Sequence, residues 1–221
     1  MAGQPDAAAG EGLAAWIDPR RAALLVVDMQ ADFAARDGAM ARAGADLTGL
    51  PAALAAAERL AAAARAAGAP VVFAVTETRP ETDPQAWREW VRRRGGDPAV
   101  ELAVCRAGSP GAALVGPAPL PGEPVVLKRR YSAFRDTDLD ARLRGMGIDT
   151  LVVCGLTTEC CVDAAARDAF DLGYHAFVVR DACAAYGAGL HAAALRALEL
   201  NCAILTDSAA VLAAWRGGPA R

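Results

Sequence analysis

Histidine is almost missing from this chain of 221 residues, which holds only His175 and His191. With no CxxC, HExxH or DxH spacing either, a zinc centre would have to be assembled from scattered ligands, and no metal site is expected. Basic residues are not in excess. A formal charge of −3 and a pI near 5.4 exclude a surface devoted to nucleic-acid phosphates, which needs a cationic surplus to release counterions. No apolar run approaches the roughly 20 residues of a membrane-spanning helix, because the Ala-rich stretches are broken by Arg and Glu. Residues 1–12 carry acids, Pro and Gly where a secretory leader has a basic and then an apolar stretch, so a cytoplasmic location is expected. Six cysteines are too few for the dense framework of a small secreted domain and read as reduced thiols. Nucleotide signatures are missing too: no GxGxxG opens a helix after the first apolar run, and there is no GxxxxGK[ST]. Without a GxSxG elbow, and with both His in packing or capping positions, a Ser-His-Asp enzyme is disfavoured.

What is present suits a single α/β domain. Hydrophobic residues make up 54% and charged residues 22%, enough apolar area to offset the entropy of ordering the chain. Residues 22–28 (AALLVVD) form a continuous apolar run ending in an acid, the pattern of a buried parallel strand. Similar runs lie at 70–76, 124–128, 150–154 and 175–179, with a weaker sixth at 202–205. Helical stretches fall at 54–67, 139–146, 159–172 and 189–200. Such alternation predicts a three-layer α-β-α, Rossmann-like architecture with a mainly parallel six-stranded sheet and ligands at the C-terminal strand ends. Residues 21–216 are read as one domain and residues 1–20 as an N-terminal extension. Two segments break the rhythm: 77–97, with Trp87, Trp90 and the run Arg92-Arg93-Arg94, and the Gly- and Pro-rich 107–122. Both follow strand ends, where insertions shape active sites; the arginine run reads as a solvated helix face.

Three reactive groups occupy strand ends: Asp28 after LLVV, Lys128 after PVVL, and the Cys160-Cys161 pair after LVVC. Each alone has an ordinary structural explanation, as a turn cap, a snorkelling lysine or a buried thiol. Together they supply a proton acceptor, a fixed cation and a nucleophile, which is what acyl transfer through sulfur needs. A helix N-terminus and a nearby Lys both favour a thiolate. Adjacent helical residues point about 100° apart, so only one of the two cysteines can face a pocket, and spacing does not choose between them. Asp28 and Lys128 are expected to stand at a pocket and not in the packed core.

Asp28-Met29-Gln30-Ala31-Asp32-Phe33, Lys128-Arg129-Arg130-Tyr131-Ser132-Ala133-Phe134 and Gly155-Leu156-Thr157-Thr158-Glu159-Cys160-Cys161-Val162 resemble, in order and spacing, the DxQxxF, KxxxSxF and GxxTxxCV segments of the isochorismatase-like cysteine hydrolases. Asp168-Ala169, Gly173-Tyr174 and Val178-Val179-Arg180-Asp181-Ala182 extend the likeness over residues 21–210. The resemblance implies that Cys161 is the nucleophile, Asp28 its general base and Lys128 the polarising cation. It also implies an oxyanion hole from the backbone N–H groups of Thr157 and Cys161, with a cis peptide between Leu156 and Thr157. Nicotinamidases of this family carry a DxH metal site, whereas residues 29–104 contain no His. Isochorismatases proper lack the cysteine. The expected activity is therefore hydrolysis of a small amide, ureido or N-carbamoyl compound through a thioester, without a cofactor. A noncovalent vinyl ether hydrolase and a catalytically weak ligand-binding subunit are the alternatives. Phe33, Trp87, Tyr131 and Phe134 are expected to line the substrate pocket, with Trp90 and Tyr186 as further aromatic candidates and Arg130 or Arg135 as ligands for a carboxylate. Arg129 and Arg130 otherwise read as solvated or as a subunit contact. The resemblance implies a homo-oligomer; the expected partner is a small-molecule substrate, with no nucleic acid and no membrane.

Overall fold

The apolar runs become strands β1 (Ala22–Val27), β2 (Val71–Thr76), β3 (Val125–Lys128), β4 (Thr150–Leu156), β5 (His175–Ala184) and β6 (Ile204–Thr206), which pair in the order β3-β2-β1-β4-β5-β6. The computed structural model describes residues 12–217. Every pairing is parallel, so the sheet expected as mainly parallel is wholly so. β1 and β4 are buried at every position, which is why they carry continuous Leu, Val and Ala with no alternation. Strand order runs outward from β1 on one side and from β4 on the other. The crevice above their C-terminal ends is the switch point at which open α/β sheets bind ligands, and Asp28 and Thr157 flank it, each directly after its strand.

Where the central strands pass, Gly155 sits at φ 138°, and a Cβ there would lie 2.1 Å from the Val27 carbonyl oxygen. Only glycine lets β4 approach β1 this closely just before Asp28.

Helices cover both faces: α1 (Leu50–Ala67), α2 (Gln85–Arg93), α3 (Leu139–Gly145), α4 (Asp163–Asp171), α5 (Ala188–Asn201) and α6 (Ser208–Arg216). α1 buries Leu50, Ala53, Ala57, Leu60, Ala61 and Ala64, a stripe at three- and four-residue spacing, against one face with Val211 and Trp215 of α6. Leu139 and Leu143 of α3, Ala165, Ala166 and Ala169 of α4, and Leu195 and Leu198 of α5 cover the other. α1 starts at Leu50, four residues before its apolar pattern shows, because Pro51 is tolerated in a first turn; it ends at Gly68 in the left-handed region. β5 runs five residues beyond its apolar run because exposed Arg180 and Asp181 interrupt the pattern without interrupting the strand. Their polarity has a use: Asp181 accepts hydrogen bonds from the Ser208 N–H and hydroxyl at the start of α6.

Part of the expected N-terminal extension belongs to the domain. Ile17 is fully buried, its carbonyl accepts from the Trp215 indole N–H at 3.0 Å, and Trp16 packs on Phe177. Residues 1–11 of that extension lie outside the described residues. Among the described residues no helix is long and apolar enough to cross a membrane.

Candidate active site

Three strand ends converge on one buried charge pair. Lys128 Nζ lies 2.6 Å from Asp28 Oδ2. Thr76, which β2 pairs in register with Lys128, donates its hydroxyl to Asp28 Oδ1 (2.9 Å) and accepts from Lys128 Nζ (2.9 Å). The ammonium also reaches the Arg130 carbonyl at 3.1 Å and Cys161 Sγ at 3.4 Å. Asp28 and Lys128 are each 1% exposed and Cys161 is 7% exposed, so the pair expected at a pocket edge is core by burial. Asp28 directly follows central β1, and Lys128 ends edge strand β3 with its side chain turned inward across the end of β2, onto Thr76, Asp28 and Cys161.

Gln30 holds the Asp28 loop to β2. Its side-chain amide donates to the carbonyls of Thr76 (2.8 Å) and Ala112 (2.9 Å) and accepts from the Thr76 N–H (2.8 Å). Asp28 itself has φ 50°, a left-handed conformation that Asp tolerates better than most residues. Neither Thr76 nor Gln30 was assigned a role from the sequence. The signal for Thr76 is its place at the C-terminal end of a buried strand, shared with Asp28 and Lys128; Gln30 stands inside the Asp28 segment.

Cys161 lies in Thr158–Val162, a widened helical turn that leads into α4. The expectation that only one cysteine faces a pocket is not met, because the widened turn lets both line the same cavity; they differ in that Cys161 is buried against Lys128, while Cys160 is only half-buried. The Leu156–Thr157 peptide preceding the turn is cis. The electrostatics differ from the simple helix-terminus expectation. A hydrogen bond with Cys160, burial and the Asp28 carboxylate push the Cys161 thiol well above its ordinary value, outweighing Lys128. Burial acts against the Lys128 ammonium, but Asp28 and Cys161 override it and raise its pKa, so the lysine stays charged. The resting site thus holds a thiol beside an ion pair.

A cavity of about 330 Å³ opens over Cys161. Phe33, Trp87, Tyr131, Thr157, Cys160 and Cys161 line it, together with Trp90, Arg94, Glu159 and Tyr186. Trp87 stacks on Tyr131 at 4.9 Å and 18°. Phe134 is a correction: it is buried in the core against Tyr174, 5.7 Å between rings, and does not line the cavity. After Tyr131 the chain turns inward, Ser132, Ala133 and Phe134 are all buried, and the Ser132 hydroxyl accepts from the Phe134 N–H. Arg129 and Arg130 line the cavity, while exposed Arg135 does not. The arginine run is mixed: Arg92 and Arg93 are solvated, but Arg94 lies 3.8 Å over the Trp90 ring, pairs with Glu101 at 2.7 Å and lines the cavity. His191 is used structurally, its Nδ1 sharing a 2.8 Å hydrogen bond with the Thr158 hydroxyl. Among the described residues no group of three or more His, Cys, Asp or Glu side chains is gathered to hold a metal ion.

Comparison with known proteins adds three likenesses. Residues 22–210 match the family model of the isochorismatase domain. The ureidoacrylate amidohydrolase RutB of Methylobacterium radiotolerans is 36% identical over 216 residues, covering 93% of this chain and 83% of that protein. The crystal structure of a cysteine hydrolase from Pseudomonas syringae pv. phaseolicola superposes with a TM-score of 0.78 at 26% identity, covering 91% of this chain and 95% of that one. The N-carbamoylsarcosine amidase of Thermoplasma acidophilum gives a TM-score of 0.66 at 29% identity, covering 85% and 96%.

Proposed function

The chain belongs to the isochorismatase family and is a hydrolase of carbon–nitrogen bonds outside peptides; we propose that it cleaves a small ureido or N-carbamoyl compound through Cys161, with Asp28 and Lys128 completing a triad. The observation that carries this reading is the Cys161 sulfur 3.4 Å from the ammonium of a buried Asp28–Lys128 pair, at the base of a cavity.

Asp28 takes the thiol proton as Cys161 Sγ bonds to the carbonyl carbon. Negative charge passes to the carbonyl oxygen, which the backbone N–H groups of Thr157 and Cys161 receive. Collapse breaks the C–N bond, and Asp28 returns its proton to the leaving nitrogen. The acyl group remains on sulfur, as a thioester or, from a ureido compound, a thiocarbamate. Water then attacks the same carbon with Asp28 again as base, and sulfur leaves. Moving a proton from Cys161 to Asp28 keeps one anion beside Lys128 before and after, so the buried site changes no net charge during the step. That matters because an unpaired charge at such depth costs several kcal/mol.

Two relatives support the substrate class: the substrates in their names, ureidoacrylate and N-carbamoylsarcosine, both hold a carbamoyl group on nitrogen. Trp87 and Tyr131 offer a flat apolar wall, and Arg129 and Arg130 can receive a carboxylate. Mass spectrometry after mixing with a panel of small amides and ureido acids tests the proposal. An acyl adduct on Cys161 is expected, forming about 10²- to 10⁴-fold more slowly in Asp28→Asn. Turnover without any adduct, and unaffected by loss of the thiol, refutes the covalent route.

A further inference from the structure

The charges on the cavity wall pair off unevenly. Arg94 is bound to Glu101 at 2.7 Å, and Asp83 takes both ends of the Arg106 guanidinium at 2.7 Å. Glu159 is different. Its Oε1 accepts the Thr157 hydroxyl at 2.9 Å, while its Oε2 is sealed from water with no hydrogen-bond partner. A carboxyl oxygen out of water and without a donor is costly, and sites keep such groups where a ligand supplies the missing bond. Glu159 lines the cavity and lies between Thr157 and Cys161, the two residues whose N–H groups face the developing oxyanion in the proposed mechanism.

We propose that Glu159 is the specificity-determining residue of this site, accepting a hydrogen bond from the amino group of the substrate's carbamoyl end. The inference rests on the reading of the chain as a Cys161-dependent carbamoyl hydrolase and deepens it. In a planar H₂N–CO–NH–R group the terminal nitrogen lies beside the carbonyl oxygen. With that oxygen held at Thr157 and Cys161, a nitrogen directed at Glu159 meets the carboxyl oxygen that has no donor. A methyl group in its place has the same size but no proton to give, so the Glu159 oxygen remains unpaired. Polar sites built this way discriminate more strongly against a missing donor than apolar pockets do against a missing methylene.

N-carbamoylglycine and N-acetylglycine are the probes, since they differ only by NH₂ against CH₃ on the reacting carbonyl. Their ratio of kcat/KM is measured in the wild type, in Glu159→Ala and in Glu159→Gln. The glutamine can still accept from Thr157 through its amide oxygen, but it turns an NH₂ toward the substrate where the carboxyl oxygen stood. The preference for the carbamoyl compound is expected to fall at least about tenfold in both variants, mainly through KM, with N-acetylglycine changed less than about threefold. Equal losses on both probes would mean that Glu159 only steadies Thr157, and an unchanged ratio would mean that it does not contact the substrate; either result overturns the inference. If the wild type turns over neither probe and carries no adduct on Cys161 with any ureido compound, the underlying reading fails instead and takes this inference with it. Should Glu159→Ala not fold, Glu159→Gln decides alone.

Discussion

The floor and the wall of the cavity are built on different principles. The floor is Thr76 and Cys161 together with Asp28 and Lys128, which bond to them from beneath without lining the cavity; it comes from strand ends and the turn after β4, and its charged members are as buried as the core. The wall, with Trp87 and Trp90 from α2, Arg94 just after it, and Arg129, Arg130 and Tyr131 from the loop after β3, is half-exposed and held by stacking and surface ion pairs. Strand-end floor positions are fixed by sheet register to within a hydrogen bond, the precision the proposed chemistry needs. Wall positions hang on an insertion whose contacts are individually weak, so specificity can vary there without disturbing the sheet. Glu159 belongs to the wall by exposure but to the floor by sequence, two residues before Cys161.

The comparison breaks most plainly if the nucleophile can be lost cheaply. Cys161→Ala is expected to lower turnover by at least about 10⁴-fold, whereas Cys160→Ala, on the cavity side of the turn, retains most of it. Reversed behaviour in a steady-state assay would place the reacting sulfur on the wall.

The next effect concerns stability. Lys128→Met leaves Asp28 buried beside no cation, and breaking such a pair costs about 3–5 kcal/mol, read as a large drop in the midpoint of chemical denaturation. In whatever folds, alkylation of Cys161 by iodoacetamide sharpens the picture. The Cys160 hydrogen bond, burial and Asp28 hold the thiol well above its ordinary value in the native site. Its alkylation is therefore expected to need a pH higher than an ordinary thiol does. Removing the cation takes away the contribution that lowers its pKa, so the rate profile moves to still higher pH. An unchanged profile would mean that Lys128 does not act on the sulfur.

The smallest effect is expected on the wall. Trp87→Ala removes the stack on Tyr131, worth about 0.5–1.5 kcal/mol, so stability changes little while KM rises about tenfold with kcat nearly kept. A collapse of kcat instead would show that the wall positions the reacting group and that the two regions are not separable.

Much of the floor was legible because buried parallel strands announce themselves as apolar runs, and a charged residue directly after such a run has few places to go. Asp28 and Lys128 were found that way. Thr76 was not, since a threonine ending VVFAVT looks like any β-branched strand residue; only the pairing of Thr76 with Lys128 across β2 and β3 gives it a partner. α2 was hidden because its polar, Trp-containing sequence has no continuous buried stripe, with Val91 its one buried residue. Phe134 misled for the opposite reason: an aromatic near Lys128 in sequence turned into the core once the chain bent at Ser132.

Local composition and spacing were enough to give the parallel α/β architecture, the strand ends that carry Asp28 and Lys128 and, through the motif segments, the family. Those features follow from local composition and short-range spacing, which the chain carries wherever it goes. Tertiary structure decided which cysteine faces the lysine, how deeply the ion pair is buried, that burial and neighbours keep the thiol protonated, and that one oxygen of Glu159 has no donor. The first two depend on distances between residues far apart in the chain, which in a parallel sheet are set by register and crossovers that no local pattern encodes; the last two depend on how the turn after β4 is buried once the sheet is assembled.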